Sequence, residues 1–310
     1  MADLFSSLAQ RVLPRLGQSV AREGGLRAWF TRGAYAGGSD PLTGEVILSN
    51  VNPTELIDYL AFDYERFALA SWESFLVAKL ESSERNLVAW PLLKLYYSSF
   101  FAAHALMRGL GHAIVKVDRD QTDAINMMVR SAGSMTPALA PGMFRCAVRE
   151  VRPGQLEMAI SPHRDEGGVH DGFWKSFAAY LDQLAENAVQ RGLPESANFV
   201  AGVGELTPKL RGWLAARRND VNYQQAFGVW YPLTRGRLLN DQLATVRRCE
   251  SRSIDLNLQL SQTIPCFVRT TQFLSCLNAE VADHVSKRSR ASGTFGSKWS
   301  RLHAAMPFGG

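Results

Sequence analysis

Between Asn86 and Gly111 the chain reads NLVAWPLLKLYYSSFFAAHALMRGLG. Leu92, Leu93, Leu95, Tyr96, Tyr97, Phe100, Phe101, Ala105, Leu106 and Met107 leave no polar stripe on a helical projection. A helix that is apolar all round belongs at the centre of a large bundle or in a membrane. Lys94, His104 and Arg108 make a membrane span costly, so the pattern predicts a buried central helix over about 91–109. Pro91 suits its first position, where a missing N–H needs no partner. Gly109 and Gly111 supply its C-terminal stop. Ser98, Ser99, Ala102 and Ala103 are small enough for neighbouring helices to approach closely.

The preceding stretch has a clear start. In Asn52-Pro53-Thr54-Glu55 the asparagine caps, the proline takes the first helical position and Glu55 reaches back. That helix is expected to reach about Ser82, with Leu56, Leu60, Phe67, Ala70 and Phe75 inward, and to form an antiparallel hairpin with the central helix. Upstream, residues 3–22 read as an amphipathic helix, and Gly24, Gly25, Gly33, Gly37 and Gly38 break the chain. Gly44 to Leu48 suggests one short strand. Downstream, helices are expected over 120–131, 172–191 (capped by Asp171), 207–218 (opened by Thr207-Pro208) and 240–250. Residues 254–286 read as one helix or two joined at Pro265. Residues 144–151 and 155–160 flank Arg152-Pro153-Gly154 and can pair as a hairpin.

These elements predict a mainly α protein, a helical bundle around the buried helix at about 91–109, with at most a short β-hairpin in 144–160. The organisation expected is an N-terminal arm over 1–50, a helical domain over 51–285 with an irregular insertion at 112–170, and a basic tail over 286–310.

Composition narrows the function classes only a little. The 310 residues are 46% hydrophobic, which excludes wholesale disorder. The net charge of +5 permits nucleic-acid binding without requiring it. Of the basic residues 27 are Arg and 7 are Lys. Arginine suits planar contacts to phosphate, although GC-rich coding gives the same bias. Cys146, Cys249, Cys266 and Cys276 have neither C-x-x-C spacing nor a nearby His, so neither a zinc site nor a disulfide framework is expected. They read as buried reduced thiols of a cytoplasmic protein. No cofactor or metal is expected. Residues 1–30 lack the continuous apolar run of a secretory signal. Arg11, Arg15, Arg22 and Arg27 have the look of a transit peptide, against which Asp3 and Glu23 stand. No internal repeat, Walker-type phosphate loop, H-E-x-x-H or G-x-S-x-G motif is present.

The stretch YYSSFFAAHALMRGLG resembles the central helix of HEPN domains (higher eukaryotes and prokaryotes nucleotide-binding), all-α bundles of which many are metal-independent ribonucleases. The length and layout are also similar to YaaC-like bacterial proteins, a family without an assigned activity. The HEPN resemblance implies an RNA-binding protein or a metal-independent endoribonuclease, in a toxin or phage-defence setting. It implies a motif of Arg, a polar residue, four further residues and His. In that motif the arginine polarises a phosphate while the histidine handles the 2′-hydroxyl proton. Chemically the pair supplies a permanent cation for developing charge and a group titrating near neutrality.

Three stretches are candidates. Arg164-Asp165-Glu166-Gly167-Gly168-Val169-His170 matches the spacing literally and nominates Arg164 and His170 as catalytic. The plainer reading makes His170 and Asp171 the start of the next helix. Arg217-Arg218-Asn219-Asp220-Val221-Asn222-Tyr223-Gln224 resembles the motif too, with Gln224 in the histidine position. A glutamine cannot act as a base near neutral pH. This segment therefore nominates Arg217, Arg218, Asn219, Asn222 and Tyr223 for nucleic-acid binding, or merely ends a helix with charges that suit its dipole. The tail nominates Lys287, Arg288 and Arg290 for phosphates and Trp299 for base stacking, or is simply solvated. The partners implied are RNA or another nucleic acid, and a second copy or a hetero-complex; no membrane is expected. The alternative function is a non-catalytic helical subunit or scaffold.

Overall fold

The computed structural model describes residues 12–40, 42–84, 88–133, 138–163, 168–193, 196–230, 260–261, 263–289 and 294–305. Ten α-helices and five strands lie within them. The helices are α1 (Leu13–Leu16), α2 (Gly25–Arg32), α3 (Pro53–Glu84), α4 (Ala89–Gly109), α5 (Arg119–Ser131), α6 (Val169–Gln190), α7 (Ser196–Leu210), α8 (Trp213–Asn222), α9 (Thr263–Lys287) and α10 (Thr294–Ala305). The strands are β1 (Ala36–Ser39), β2 (Val46–Ser49), β3 (His112–Val117), β4 (Gly142–Arg152) and β5 (Gln155–Pro162).

The long hairpin of α3 and α4 forms the spine, and α9 lies across both. Asn52 accepts hydrogen bonds from the N–H groups of Thr54 (3.0 Å) and Glu55 (3.2 Å) and so caps α3. Glu55 does not reach back to the cap; its carboxylate pairs with Arg22 at 3.1 Å. Helix α4 is central. Leu92, Leu95, Tyr96, Ala102, Ala103, Ala105, Leu106 and Met107 are all buried. Its small polar residues serve close packing: the Ser98 hydroxyl donates to the Ser71 carbonyl at 2.7 Å and meets the Ser275 hydroxyl of α9 at 2.7 Å. Its charged end is held by Asp63, which lies 3.8 Å from Arg108, 3.0 Å from Arg66 and accepts the Leu26 N–H at the start of α2.

The fold is mixed α and β, which corrects the mainly α expectation. All five strands join one antiparallel sheet in the order β1-β2-β5-β4-β3. The β4–β5 hairpin is its middle, and the stretch expected to be an irregular insertion supplies β3, α5 and this hairpin. Strand β3 (HAIVKV) is a short run rich in β-branched residues directly after the Gly111 stop, a signal that the neighbouring helix pattern overshadowed. Strand β1 (AGGS) has no strand propensity of its own. It exists because β2 offers an edge and because Gly37 has no side chain: a Cβ there would meet the Val129 backbone nitrogen of α5 at 2.5 Å.

Leu26, Trp29 and Phe30 of α2, within the expected arm, are buried in the common core. The helix boundaries need further corrections. Thr207-Pro208 does not open a helix; it lies near the end of α7, and the break falls at Gly212, whose φ of +85° starts α8. Asp171 sits inside the first turn of α6, behind Gly168, and pairs with Lys175 at 2.7 Å. Pro265 occupies the first turn of α9, where a proline is tolerated. The 3–11 part of the expected first helix, and the expected helix at 240–250, lie outside the described residues.

Candidate functional site

Adjacent tyrosines on α4, Tyr96 and Tyr97, bring together two of the three motifs read from the sequence. His170 comes from the first turn of α6 and Arg218 from α8. The Tyr96 hydroxyl lies 3.1 Å from His170 Nδ1 and accepts a hydrogen bond from the Trp174 indole N–H at 3.0 Å. Arg218 donates to the Tyr97 hydroxyl at 2.6 Å, to the Tyr223 hydroxyl at 3.3 Å and to the Asn219 side-chain oxygen at 3.0 Å. Its guanidinium carbon lies 5.9, 5.6 and 5.1 Å from the ring centres of Tyr96, Tyr97 and Tyr223. The cation is thus held in an aromatic cage.

The local folding explains the placement. Helix α8 packs on α4, and its Leu214, Ala215 and Val221 are buried, which turns Arg218 inward towards the tyrosines. Helix α6 buries Phe173, Trp174 and Phe177, which seats His170 4.7 Å from the Phe100 ring. Arg218 is only 9% exposed, yet no carboxylate pairs with it among the described residues, and its Nε has no hydrogen-bond partner there. Burial disfavours its charge, but hydrogen bonds to Tyr97 and Tyr223 outweigh that and raise its pKa. The neighbouring Arg217 is different: it pairs with Asp220 at 3.0 Å. Tyr223 stands 70% exposed at the rim.

The histidine's protonation is tied to the hydrogen-bond order. The Trp174 N–H donates to the Tyr96 oxygen, and the Tyr96 hydroxyl and His170 Nδ1 share a hydrogen bond whose direction the ring's tautomer sets. When Tyr96 is the donor, Nε2 carries the proton of the uncharged ring. Burial first, and the Arg218 charge second, lower the His170 pKa, which favours this uncharged form. Burial pushes the Tyr96 pKa above that of a free phenol, so the hydroxyl keeps its proton. The Arg218 charge leaves the site net positive.

The other nominated residues are dispersed. Arg164 lies outside the described residues, as does Arg290. Asn222 ends α8, half-buried. Lys287 ends α9, Arg288 follows it, and both are exposed. Trp299 is 3% exposed on α10, and its indole donates to Asp283 at 2.6 Å. It stacks with Phe295, so it is not available to a base. Sequence reasoning missed Tyr96, Tyr97 and Trp174 as site residues. The signal was present, because two adjacent hydroxyls on a buried helix require partners. The histidine of α4, His104, is buried between Phe67 and Phe173, and burial drives its pKa well down. It is part of the core.

No family model, no curated protein and no solved structure matches this chain. Among the described residues, no helix is long and apolar enough to cross a membrane, and no group of His, Cys, Asp and Glu is arranged to hold a metal ion.

Proposed function

We propose that the chain binds the phosphodiester backbone of single-stranded RNA at the cluster of Tyr97, His170, Arg218, Asn219 and Tyr223. The observation that carries this is Arg218, a largely buried guanidinium without a carboxylate partner among the described residues, opening beside an exposed tyrosine. A permanent guanidinium charge beside the His170 ring suits an anionic phosphate. Tyr223 offers a stacking face for an unpaired base. The resemblance of the α4 stretch to HEPN domains agrees with an RNA ligand.

The reading is binding rather than cleavage. General-base catalysis needs a bare nitrogen facing the substrate. In this reading the Tyr96 hydroxyl donates to Nδ1, which leaves the proton on Nε2. Cleavage requires the opposite tautomer, with Tyr96 accepting from both Trp174 and His170.

Filter binding with a mixed-sequence single-stranded RNA tests this. Wild type should bind with an affinity that falls with salt. Arg218→Ala should weaken it about 10- to 100-fold, the loss expected for a charge-assisted contact. Absence of binding at low salt removes the RNA reading and leaves a subunit or scaffold. Metal-independent cleavage that disappears in His170→Ala would replace binding by the ribonuclease reading.

A further inference from the structure

Trp29 and Trp174 are fully buried, but Trp90, in the first turn of α4, is 52% exposed. Its ring is held in place all the same. It meets Trp230 in a T-shaped pair, ring centres 5.5 Å apart and planes 79° apart. Trp230 packs against the core, and its indole N–H donates to the Val221 carbonyl at 2.6 Å, near the end of α8. An exposed ring that a second ring already fixes loses little freedom when a flat ligand settles on it.

The register of α4 sets Trp90 on the side of the Arg218 cluster. At about 100° per residue, Trp90, Leu93 and Tyr97 fall within about 60° of one another. Tyr97 accepts the Arg218 hydrogen bond, and Leu93, between the two rings in sequence, is buried. Seven residues at about 1.5 Å each put Trp90 roughly 10 Å along the helix from Tyr97. That is about three nucleotides of a stacked strand at roughly 3.4 Å each.

The chain between the two points is strained. Residues 223–230 run from the exposed Tyr223 to Trp230, and Gln225 (φ +49°) and Phe227 (φ +66°) both adopt left-handed backbone. Such angles are uncommon for any residue with a side chain, and more so for a bulky aromatic. Phe227 packs against the core, which holds the strained form. Backbone strain that packing maintains clusters at ligand sites. Here the strained segment links Tyr223 to the brace of Trp90, and it leaves Gln224 and Gln225 exposed on the way.

We propose that Trp90 is a second base-stacking platform, and that single-stranded RNA runs from the phosphate on Arg218 past Tyr223 to an unpaired base on Trp90. The inference rests on the RNA reading of the Arg218 cluster and extends it from one phosphate to a short strand. Stacking needs a π-face and no charge, which the exposed indole supplies. The two glutamines offer donors and acceptors to base edges. Amides, a phenol and a guanidinium along this path suit bases and phosphates better than they suit an apolar peptide.

Competition filter binding of the full chain with a dinucleotide and an octanucleotide of mixed sequence tests it. Wild type should hold the octanucleotide more tightly, because only the longer strand reaches Trp90. Trp90→Leu should lower the octanucleotide affinity at least fivefold, the loss of one stacked base. It should leave the dinucleotide affinity and the salt slope unchanged, since no cation is removed. Trp90→Phe keeps a π-face and should retain most of the affinity. Arg218→Ala should weaken both ligands and flatten the salt slope. Wild-type octanucleotide affinity in Trp90→Leu, with Arg218→Ala still defective, overturns this inference alone. So does an equal loss in Trp90→Leu and Trp90→Phe, which makes the ring a packing element, or an equal loss for the dinucleotide, which makes it a support for Arg218. Absence of wild-type binding to either RNA at low salt removes the Arg218 reading itself, and this inference with it.

Discussion

Replacing Tyr96 by Phe removes one hydroxyl from the centre of the candidate site and leaves the ring. That oxygen accepts the Trp174 indole N–H at 3.0 Å and faces His170 Nδ1 at 3.1 Å. Trp174 is fully buried, so water cannot replace the lost acceptor. Leaving a buried donor unsatisfied costs about 1–3 kcal/mol. The half-buried His170 nitrogen can turn to solvent, and its loss adds about 0.5 kcal/mol, the low end for a hydrogen bond. The expected destabilisation is therefore about 2–3 kcal/mol. With roughly 2 cal/mol/K of unfolding entropy per residue, a chain of 310 residues turns this into a drop in Tm of about 3–5 °C. Scanning calorimetry measures it directly. A cycle with Trp174→Phe isolates the cause. In that background the indole donor is already gone, so Tyr96→Phe should cost about 1 kcal/mol less. The freed Nδ1 should also change the ring's tautomer, read from its nitrogen NMR shifts. Equal costs in both backgrounds, with an unchanged histidine spectrum, would refute the proposed hydrogen-bond order.

Three other outcomes follow from the same geometry. Trp299→Ala should destabilise the fold by about 3–5 kcal/mol in denaturant titration, as a buried aromatic does, and leave the salt dependence of RNA binding unaltered. Asp63→Asn should cost about 3–5 kcal/mol by the same assay, because it leaves the buried Arg108 without its carboxylate. Stability should fall on acidification. His104, His170 and His112 all have pKa values lowered chiefly by burial, with His112 at about 4. The unfolded chain then binds more protons than the folded one below the ordinary histidine pKa of about 6.5. This contribution is intact above that pH and is lost as pH drops towards the folded values. A Tm that does not fall between pH 7.5 and pH 5 would contradict it.

Much of the helical frame was legible in the sequence. The α3 start follows from Asn52 and Pro53, because capping is a local matter of one side chain and two backbone N–H groups. The burial of α4 follows from its lack of a polar face, and the β4–β5 hairpin from two apolar runs around a turn. Arg218 and His170 stood out as residue types at motif-like spacing. What only the tertiary structure decided were relations between distant segments. Strand β1 has two glycines and no preference for extended backbone; an available edge on β2 and the close backbone of α5 make it a strand. Trp299 looks like a stacking residue in a basic tail until α10 folds back onto α3. The site itself is a meeting of Tyr96 and Tyr97 with residues 74 and 121 positions further along the chain. Local pattern fixes which face of each helix is apolar, but several packings bury those faces equally well. The choice among them rests on side-chain complementarity and on where buried hydroxyls and cations find partners, which no single stretch of sequence contains.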